Sequence, residues 1–240
     1  MIETTAETGS TNTDLLDRLQ AGERIPEGMW LVADRQTAGR GRQGRAWSGG
    51  QGNFMGSTVV HRLPGDPPAP TLALIAGLVL HEAATPLVPD ASRLRLKWPN
   101  DLLYSNAKLA GILLERQGSA VVVGIGVNLA VAPDLPDRQT CTFAAFGPAP
   151  DRDLFAATLA QLFDRELARW RTFGLEPMIR RWSAAALPSG TALTVHDGNA
   201  APVTGTFAGL APDGSLLLHL SDGATRAIHA GDVMLADERI

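Results

Sequence analysis

Residues 36–47 read Gln-Thr-Ala-Gly-Arg-Gly-Arg-Gln-Gly-Arg-Ala-Trp, a stretch that suits neither a helix nor a strand interior. Gly39, Gly41 and Gly44 alternate with Arg40, Arg42 and Arg45, and Gly49, Gly50 and Gly52 follow. Glycine opens backbone conformations that other residues resist and lets the backbone approach a ligand closely. The arginine fork matches phosphate or carboxylate oxygens two at a time. Residues 35–65 contain no Asp or Glu, although the whole chain carries a formal charge of −4. A basic glycine loop in an acidic protein points to a small anion and not to nucleic acid. Fixing such a loop costs on the order of 12–24 kcal/mol. Burying Trp47 returns only a few kcal/mol, at roughly 25 cal/mol per Å². The loop is therefore expected to stay mobile until a ligand fills it.

Gly39-Arg-Gly-Arg-Gln-Gly44 also fits the dinucleotide-binding pattern G-x-G-x-x-G. That pattern needs a helix starting at its third glycine and an acid about 20 residues on. Gly49, Gly50 and Gly52 oppose the helix, and residues 57–60 carry no acid, so this reading fails. A phosphate-binding P-loop is excluded as well, because no Gly-Lys pair occurs.

The 240 residues suffice for one sizeable core and a small appended domain. The N-terminus has no signal-peptide pattern, and the apolar run 72–80 is too short to span a membrane. Cys141 is alone, which fits a reducing cytoplasm. The five histidines lack ligand spacing, so no built-in metal is expected. Of 21 basic residues only Lys97 and Lys108 are lysines, which singles out the segment between them.

Taken in order, residues 10–14 (Ser-Thr-Asn-Thr-Asp) precede apolar residues at helical spacing. Locally they read as a helix N-cap cluster, or else as hydroxyl and amide groups that bind a polar ligand. Residues 30–33 form a buried strand, 53–62 its return, 64–70 a linker and 71–84 a buried helix. Strands follow at 94–98, 102–104 and 108–115, and period two sets Lys108, Ala110, Ile112 and Leu114 on one face. Gly111 leaves room there for a ligand. Residues 120–128 form a core strand, in which Gly124 and Gly126 suit close strand packing and Asn128 suits base recognition. Residues 133–150 are loop. Helices are expected at 151–170, capped by Asp151 or Asp153, and at 176–186. Beyond Pro188 five short strands alternate with Asp-Gly turns at 197–198, 213–214 and 222–223, the pattern of a small barrel.

Five segments, in this order, resemble the biotin protein ligase family: Ser10-Thr-Asn12, Gln36 with the Gly-Arg loop to Trp47, Lys97-Trp-Pro-Asn-Asp101, Lys108-Leu-Ala-Gly-Ile-Leu113 and Gly124-Ile-Gly-Val-Asn128. The resemblance covers residues 10–240. It implies an α+β fold, a class II tRNA-synthetase-like mixed sheet with flanking helices followed by a small SH3-like β-barrel. The domains would be a catalytic biotin/ATP-binding unit at 1–187 and the barrel at 188–240. It also implies ATP-dependent formation of biotinyl-5′-AMP with Mg²⁺, then transfer to a lysine of the biotin carboxyl carrier domain of acetyl-CoA carboxylase.

By resemblance Lys108, Arg40, Arg42 and Asp101 are catalytic, with Asp101 orienting or deprotonating the incoming lysine. Ser10, Thr11, Asn12, Gln36, Gly39, Arg40, Gly41, Arg42, Lys108, Gly111 and Leu113 would bind biotin. Arg40, Arg42, Arg45, Trp47 and Asn128 would bind ATP, with Trp47 covering the adenine. Gln43, where a further basic residue is common, and the less aliphatic strand Phe54-Met-Gly-Ser57 depart from the family pattern. A lipoate ligase or octanoyltransferase would share the fold. A biotin carrier lacks support, since no Met-Lys-Met turn exists, and the nine residues before Ser10 leave no room for a DNA-binding repressor domain. No nucleic-acid or membrane partner is expected, and a homodimer is compatible.

Overall fold

A computed structural model describes residues 1–196 and 201–235. The expected Asp197-Gly198 turn and residues 236–240 of the expected barrel lie outside the described residues.

The larger unit is a seven-stranded mixed sheet in the order β1-β2-β3-β7-β6-β5-β4. Its strands are β1 (Ile2–Thr8), β2 (Trp30–Gln36), β3 (Phe54–His61), β4 (Leu94–Lys97), β5 (Asp101–Tyr104), β6 (Ala107–Gln117) and β7 (Ala120–Val127). Only β1 and β2 pair in parallel. β1 is absent from the sequence reading because it has no apolar face. It is an edge strand with no buried residue, held by its backbone ladder to β2. That ladder continues into the loop, where Thr37 and Ala38 donate backbone N–H bonds to the carbonyls of Thr8 and Gly9.

The two sheet faces differ. On one, Trp30, Val32, Phe54, Val121, Val123 and Ile125 join the main core with helix α2 (Leu72–Ala84). Every residue of α2 except His81 and Glu82 is buried, because α3 (Arg152–Phe173) and α4 (Leu175–Ala185) cover its other side. The stretch Ala69–Leu87 has the length and hydropathy of a membrane span, longer than the sequence reading of 72–80 allowed, and 67% of its most apolar window is buried inside the chain. Asp151, not Asp153, caps α3 by accepting the Leu154 N–H at 2.8 Å.

The opposite face carries helix α1 (Thr11–Gln20), whose Leu15 packs on Leu31, Val59 and Val122. Along β7 this face continues through Gly124 and Gly126, which leave the sheet bare. A side chain standing there gains free space on one side, and that is where the site forms.

The period-two reading of β6 needs correction. Leu102 pairs with Ala110 but Leu103 pairs with Lys108, so Leu109 is an extra, fully buried residue in the strand. A bulge of this kind re-aims the side chains beyond it. Lys108 therefore shares its face with Gly111 and not with Ala110, which sits in the core.

The C-terminal strands β8 (Ala192–His196), β9 (Val203–Leu210), β10 (Leu216–His219), β11 (Thr225–Ile228) and β12 (Asp232–Leu235) form one antiparallel sheet, ordered β11-β10-β9-β8-β12. It docks beside the cis Trp98–Pro99 peptide, where Trp98 Nε1 donates to Gly214 O at 3.1 Å.

Candidate active site

The glycine-arginine loop folds back on itself as a tight hairpin. Gly41 N–H bonds to Arg45 O at 2.7 Å, and Trp47 N–H bonds to Gly39 O at 2.8 Å. Gly39 is needed for this close approach, because a Cβ there would lie 2.7 Å from Trp47 O. The turn delivers the Trp47 indole onto the bare part of the sheet. A Cβ on Gly126 would sit 2.3 Å from the ring, and one on Gly111 would sit 3.1 Å from it. The strand-packing reading of these glycines is thus replaced: Gly126 makes room for Trp47, and Gly124 makes room for Asn12, whose Oδ1 lies 2.1 Å from a Cβ built there.

Trp47 stands between two compartments. The smaller, about 50 Å³, is lined by Ser10, Thr11, Asn12, Gln36, Arg40, Gly41, Gly111 and Leu113 among others. The larger, about 320 Å³, is lined by Arg45, Asn128, Pro133, Leu135, Arg138 and Thr140 among others. Lys108, Gly41 and Trp47 border both. A lysine at the junction of a small pocket with a polar end and a larger, more apolar one sits where two bound molecules would meet.

The polar end of the smaller compartment corrects the N-cap reading. Ser10 holds the N-cap position of α1, but its side chain makes no capping bond. Instead Ser10, Thr11 and Asn12 are 5%, 3% and 3% exposed and face the pocket. Gln36 Oε1 accepts the Thr11 backbone N–H at 2.7 Å, and Thr11 Oγ1 lies 2.7 Å from Ser57 Oγ. Ser57 in turn donates to Asn12 Oδ1 at 2.6 Å, and Asn12 Nδ2 donates to Glu115 Oε2 at 2.8 Å. Ser57 and Glu115 escape sequence reasoning. For Ser57 the signal was a pair of polar residues, Ser57 and Thr58, in the middle of a buried strand.

Asp101 is 6% exposed and lies between the only two lysines, with Lys108 Nζ 2.5 Å from Oδ1 and Lys97 Nζ 3.5 Å from Oδ2. Burial pushes its carboxyl upward, but Lys108 and Lys97 outweigh burial and hold its pKa at about 2. Committed to two cations, Asp101 holds Lys108 in place, a role beside the two expected of it toward the incoming lysine. A depressed folded-state pKa stabilises the fold above the unfolded value near 4, and the benefit fades as pH falls toward 2. We therefore expect Asp101 to contribute about 2 kcal/mol that is lost between about pH 4 and pH 2. Urea midpoints measured across that window test this. Asp101→Asn should start less stable and lose this component of the slope, and an unchanged slope would contradict the ion-pair assignment.

Arg42 departs from expectation. It borders neither compartment; its Nη2 donates to Gly231 O at 2.9 Å, and Nη1 lies 3.5 Å from Asn100 Oδ1. Burial lowers its pKa. Arg45 reaches Asp232 of the same C-terminal sheet as an ion pair while bordering the larger compartment. Asn128 is 2% exposed, spends its Nδ2 on the carbonyls of Lys108 and Cys141, and leaves buried Oδ1 without a hydrogen-bond partner among the described residues. Arg138, with a side chain 10% exposed and paired to Asp137, adds a cation that no sequence signal marked. Among the described residues no three His, Cys, Asp or Glu side chains converge as a metal cluster.

This geometry has close relatives. The pattern of the Biotin/lipoate A/B protein ligase family matches residues 6–131, and that of the Biotin protein ligase C terminal domain matches residues 190–235. The chain is 38% identical over 224 residues to a biotin–[acetyl-CoA-carboxylase] ligase of Paracoccus denitrificans, covering 89% of this chain and 92% of the relative. A ligase of the same name from Mycobacterium tuberculosis is 36% identical over 239 residues, covering 97% and 88%. Among solved structures, the biotin protein ligase of Aquifex aeolicus in complex with biotin and ATP superposes with a TM-score of 0.83 at 26% identity, covering 98% and 97%. That of Leishmania major with biotinyl-5-AMP gives 0.66 at 28% identity, covering 95% and 98%.

Proposed function

The chain belongs to the biotin/lipoate A/B protein ligase family, and from this premise we infer that it is a biotin–[acetyl-CoA-carboxylase] ligase that uses ATP. The observation that carries the reading is Lys108 at the junction of the two compartments, beside Trp47 and anchored by Asp101. Biotin would occupy the smaller compartment, which at about 50 Å³ must first widen by movement of Trp47 and its loop, with its polar ring system against Ser10, Thr11, Asn12 and Gln36. The adenosine of ATP occupies the larger one, where the unpaired Asn128 Oδ1 suits the adenine amino group and Trp47 offers a ring face.

The biotin carboxylate attacks the α-phosphorus, a carboxylate–phosphate bond forms, the α–β anhydride bond breaks, and pyrophosphate leaves. Negative charge concentrates on the α-phosphate oxygens, and a fixed cation there stabilises the transition state. Lys108 supplies it, with Arg40 and Arg45 flanking. In the second step the neutral amine of the acceptor lysine attacks the acyl carbon, the acyl C–O bond breaks, AMP departs, and the proton leaving nitrogen passes to the AMP phosphate or to water. Mg²⁺ bound to ATP would offset part of the triphosphate charge. Asp101 is committed to two lysines, so phosphate oxygens and water would supply most of the metal's ligands.

The direct test offers the apo carrier domain of acetyl-CoA carboxylase with ATP, Mg²⁺ and either biotin, lipoate or octanoate, and reads intact mass. One biotinyl group on one lysine is expected. Equal transfer of lipoyl or octanoyl groups would overturn the choice of biotin within the family.

Arg42 ties the loop to the C-terminal sheet, so Arg42→Gly should loosen the lid over the intermediate. Losing one charge-assisted bond costs roughly 1.5–3 kcal/mol. That is a tenfold to hundredfold faster escape, at about 1.4 kcal/mol per decade. Escaped biotinyl-AMP acylates exposed amines, so added serum albumin should become biotinylated faster than with the unaltered protein. No increase, with adenylate synthesis intact, would show that Arg42 does not retain the intermediate.

A further inference from the structure

Glu115 has no part in the chemistry above, yet it sits where the loop meets the smaller compartment. It lies on β6, on the same face as Gly111 and Leu113 and two residues beyond the latter. Its two carboxylate oxygens have different partners. Oε2 accepts from Asn12 Nδ2 at 2.8 Å, and Oε1 accepts from Arg40 Nη2 at 3.1 Å. Arg40 Nη2 also donates to Thr13 Oγ1 at 3.0 Å. One guanidinium nitrogen is thus held in place while the rest of the fork remains available beside the compartment that Arg40 lines.

We propose that Glu115 is a positioning residue that fixes Arg40 of the loop and Asn12 of the pocket together, one carboxylate oxygen to each. The chemistry of an ionised carboxylate makes this specific. It only accepts hydrogen bonds, so it dictates which end of the Asn12 amide faces it. Nδ2 turns to Glu115, and Oδ1 turns to Ser57, from which it accepts at 2.6 Å. Seating a polar ring system against Asn12 then bears on the same carboxylate that holds Arg40, which links pocket occupancy to the position of the loop. This rests on the assignment of biotin to the smaller compartment.

Glu115→Gln separates the two tasks. Its amide retains one accepting oxygen and turns a donating NH₂ toward the other partner, so Asn12 and Arg40 cannot both be satisfied. Biotin binding by calorimetry should weaken roughly tenfold to hundredfold, the effect of one lost charge-assisted bond. Biotin KM should rise, and ATP KM should rise less, because Arg40 also flanks the phosphates while Asn12 faces biotin alone. Backbone amides of residues 39–47 should lose hydrogen-exchange protection in the biotin complex. Glu115→Asp, which keeps both accepting oxygens on a shorter stem, should fall between the two. A purely structural Glu115 would lower the thermal midpoint and leave biotin affinity and loop protection as they are, which would overturn the proposal. So would a double variant with Arg40→Ala whose loss equals the product of the two single losses, because coupled residues give less than that product. Unaltered protein that binds no biotin would overturn the functional reading itself. Normal binding by both the unaltered protein and Glu115→Gln would overturn only the role of Glu115.

Discussion

Lys108→Arg is expected to abolish most adenylation, about a hundredfold or more, although the charge is kept. The ammonium is boxed in: it lies 2.5 Å from Asp101 Oδ1, 5.8 Å from the centre of the Trp47 ring, and 3.3 Å from a Cβ placed on Gly111. A guanidinium is longer, planar and wider than an ammonium, and it prefers two parallel bonds to a carboxylate. Asp101 would draw it into such a pair, away from the compartment junction, and the wide head would press on Trp47. Removing one well-placed donor to transition-state charge costs about 10²–10³ in rate. Biotin-dependent pyrophosphate release reads the loss, and a urea midpoint near that of the unaltered protein separates it from unfolding. Release close to the unaltered rate would show that any cation at this point suffices.

Gly126→Ala should produce a loss of similar size through shape alone. The new methyl would lie 2.3 Å from Trp47 Cε2 and 2.5 Å from Nε1. No Cβ tolerates such contacts, and the indole is rigid, so the whole ring must lift off the sheet. Gly126 sits in a regular ladder between Met55 and Gly111, which alanine also fits, so the strand itself should survive. Displacement by about 1 Å near a reacting centre costs on the order of 10²-fold. Gly111→Ala, with its closest approach to the ring at 3.1 Å, should be milder. Adenylation rate and ATP KM measured for both variants test the order. In a Trp47→Ala background Gly126→Ala should add little further loss, and a full additional loss would mean that Gly126 acts by some route other than Trp47.

Much of this site was legible because its chemistry is written in residue types that serve little other purpose. Two lysines in a chain of arginines marked the junction, and Asp101 between them is explained by their charge. The Gly-Arg loop announced an anion lid, and the strands flanking it followed from apolar runs. What escaped was settled by three-dimensional contacts. The bulge at Leu109 reverses which face Lys108 occupies, and nothing in Lys-Leu-Ala-Gly distinguishes a bulge from a regular strand. Ser10 could have capped α1 as easily as line a pocket. The helix start is tied down instead from β2, where Gln36 accepts the Thr11 N–H, while the Ser10 side chain lines the pocket. Arg42 belonged by pattern to the anion set, but Gly231 O, 189 residues away, captures it. β1 went unseen because an edge strand paired through its backbone needs no apolar alternation.

Exchange of labelled pyrophosphate into ATP, run without any carrier protein, bears most directly on the two-compartment site. The reaction is reversible only if biotin and ATP meet at Lys108 and the enzyme holds biotinyl-AMP by itself. Exchange should appear when biotin is added, stay at background with lipoate or octanoate, and vanish in Lys108→Arg. Exchange that needs the carrier domain, or that proceeds equally without biotin, would contradict an adenylate formed where the two compartments join.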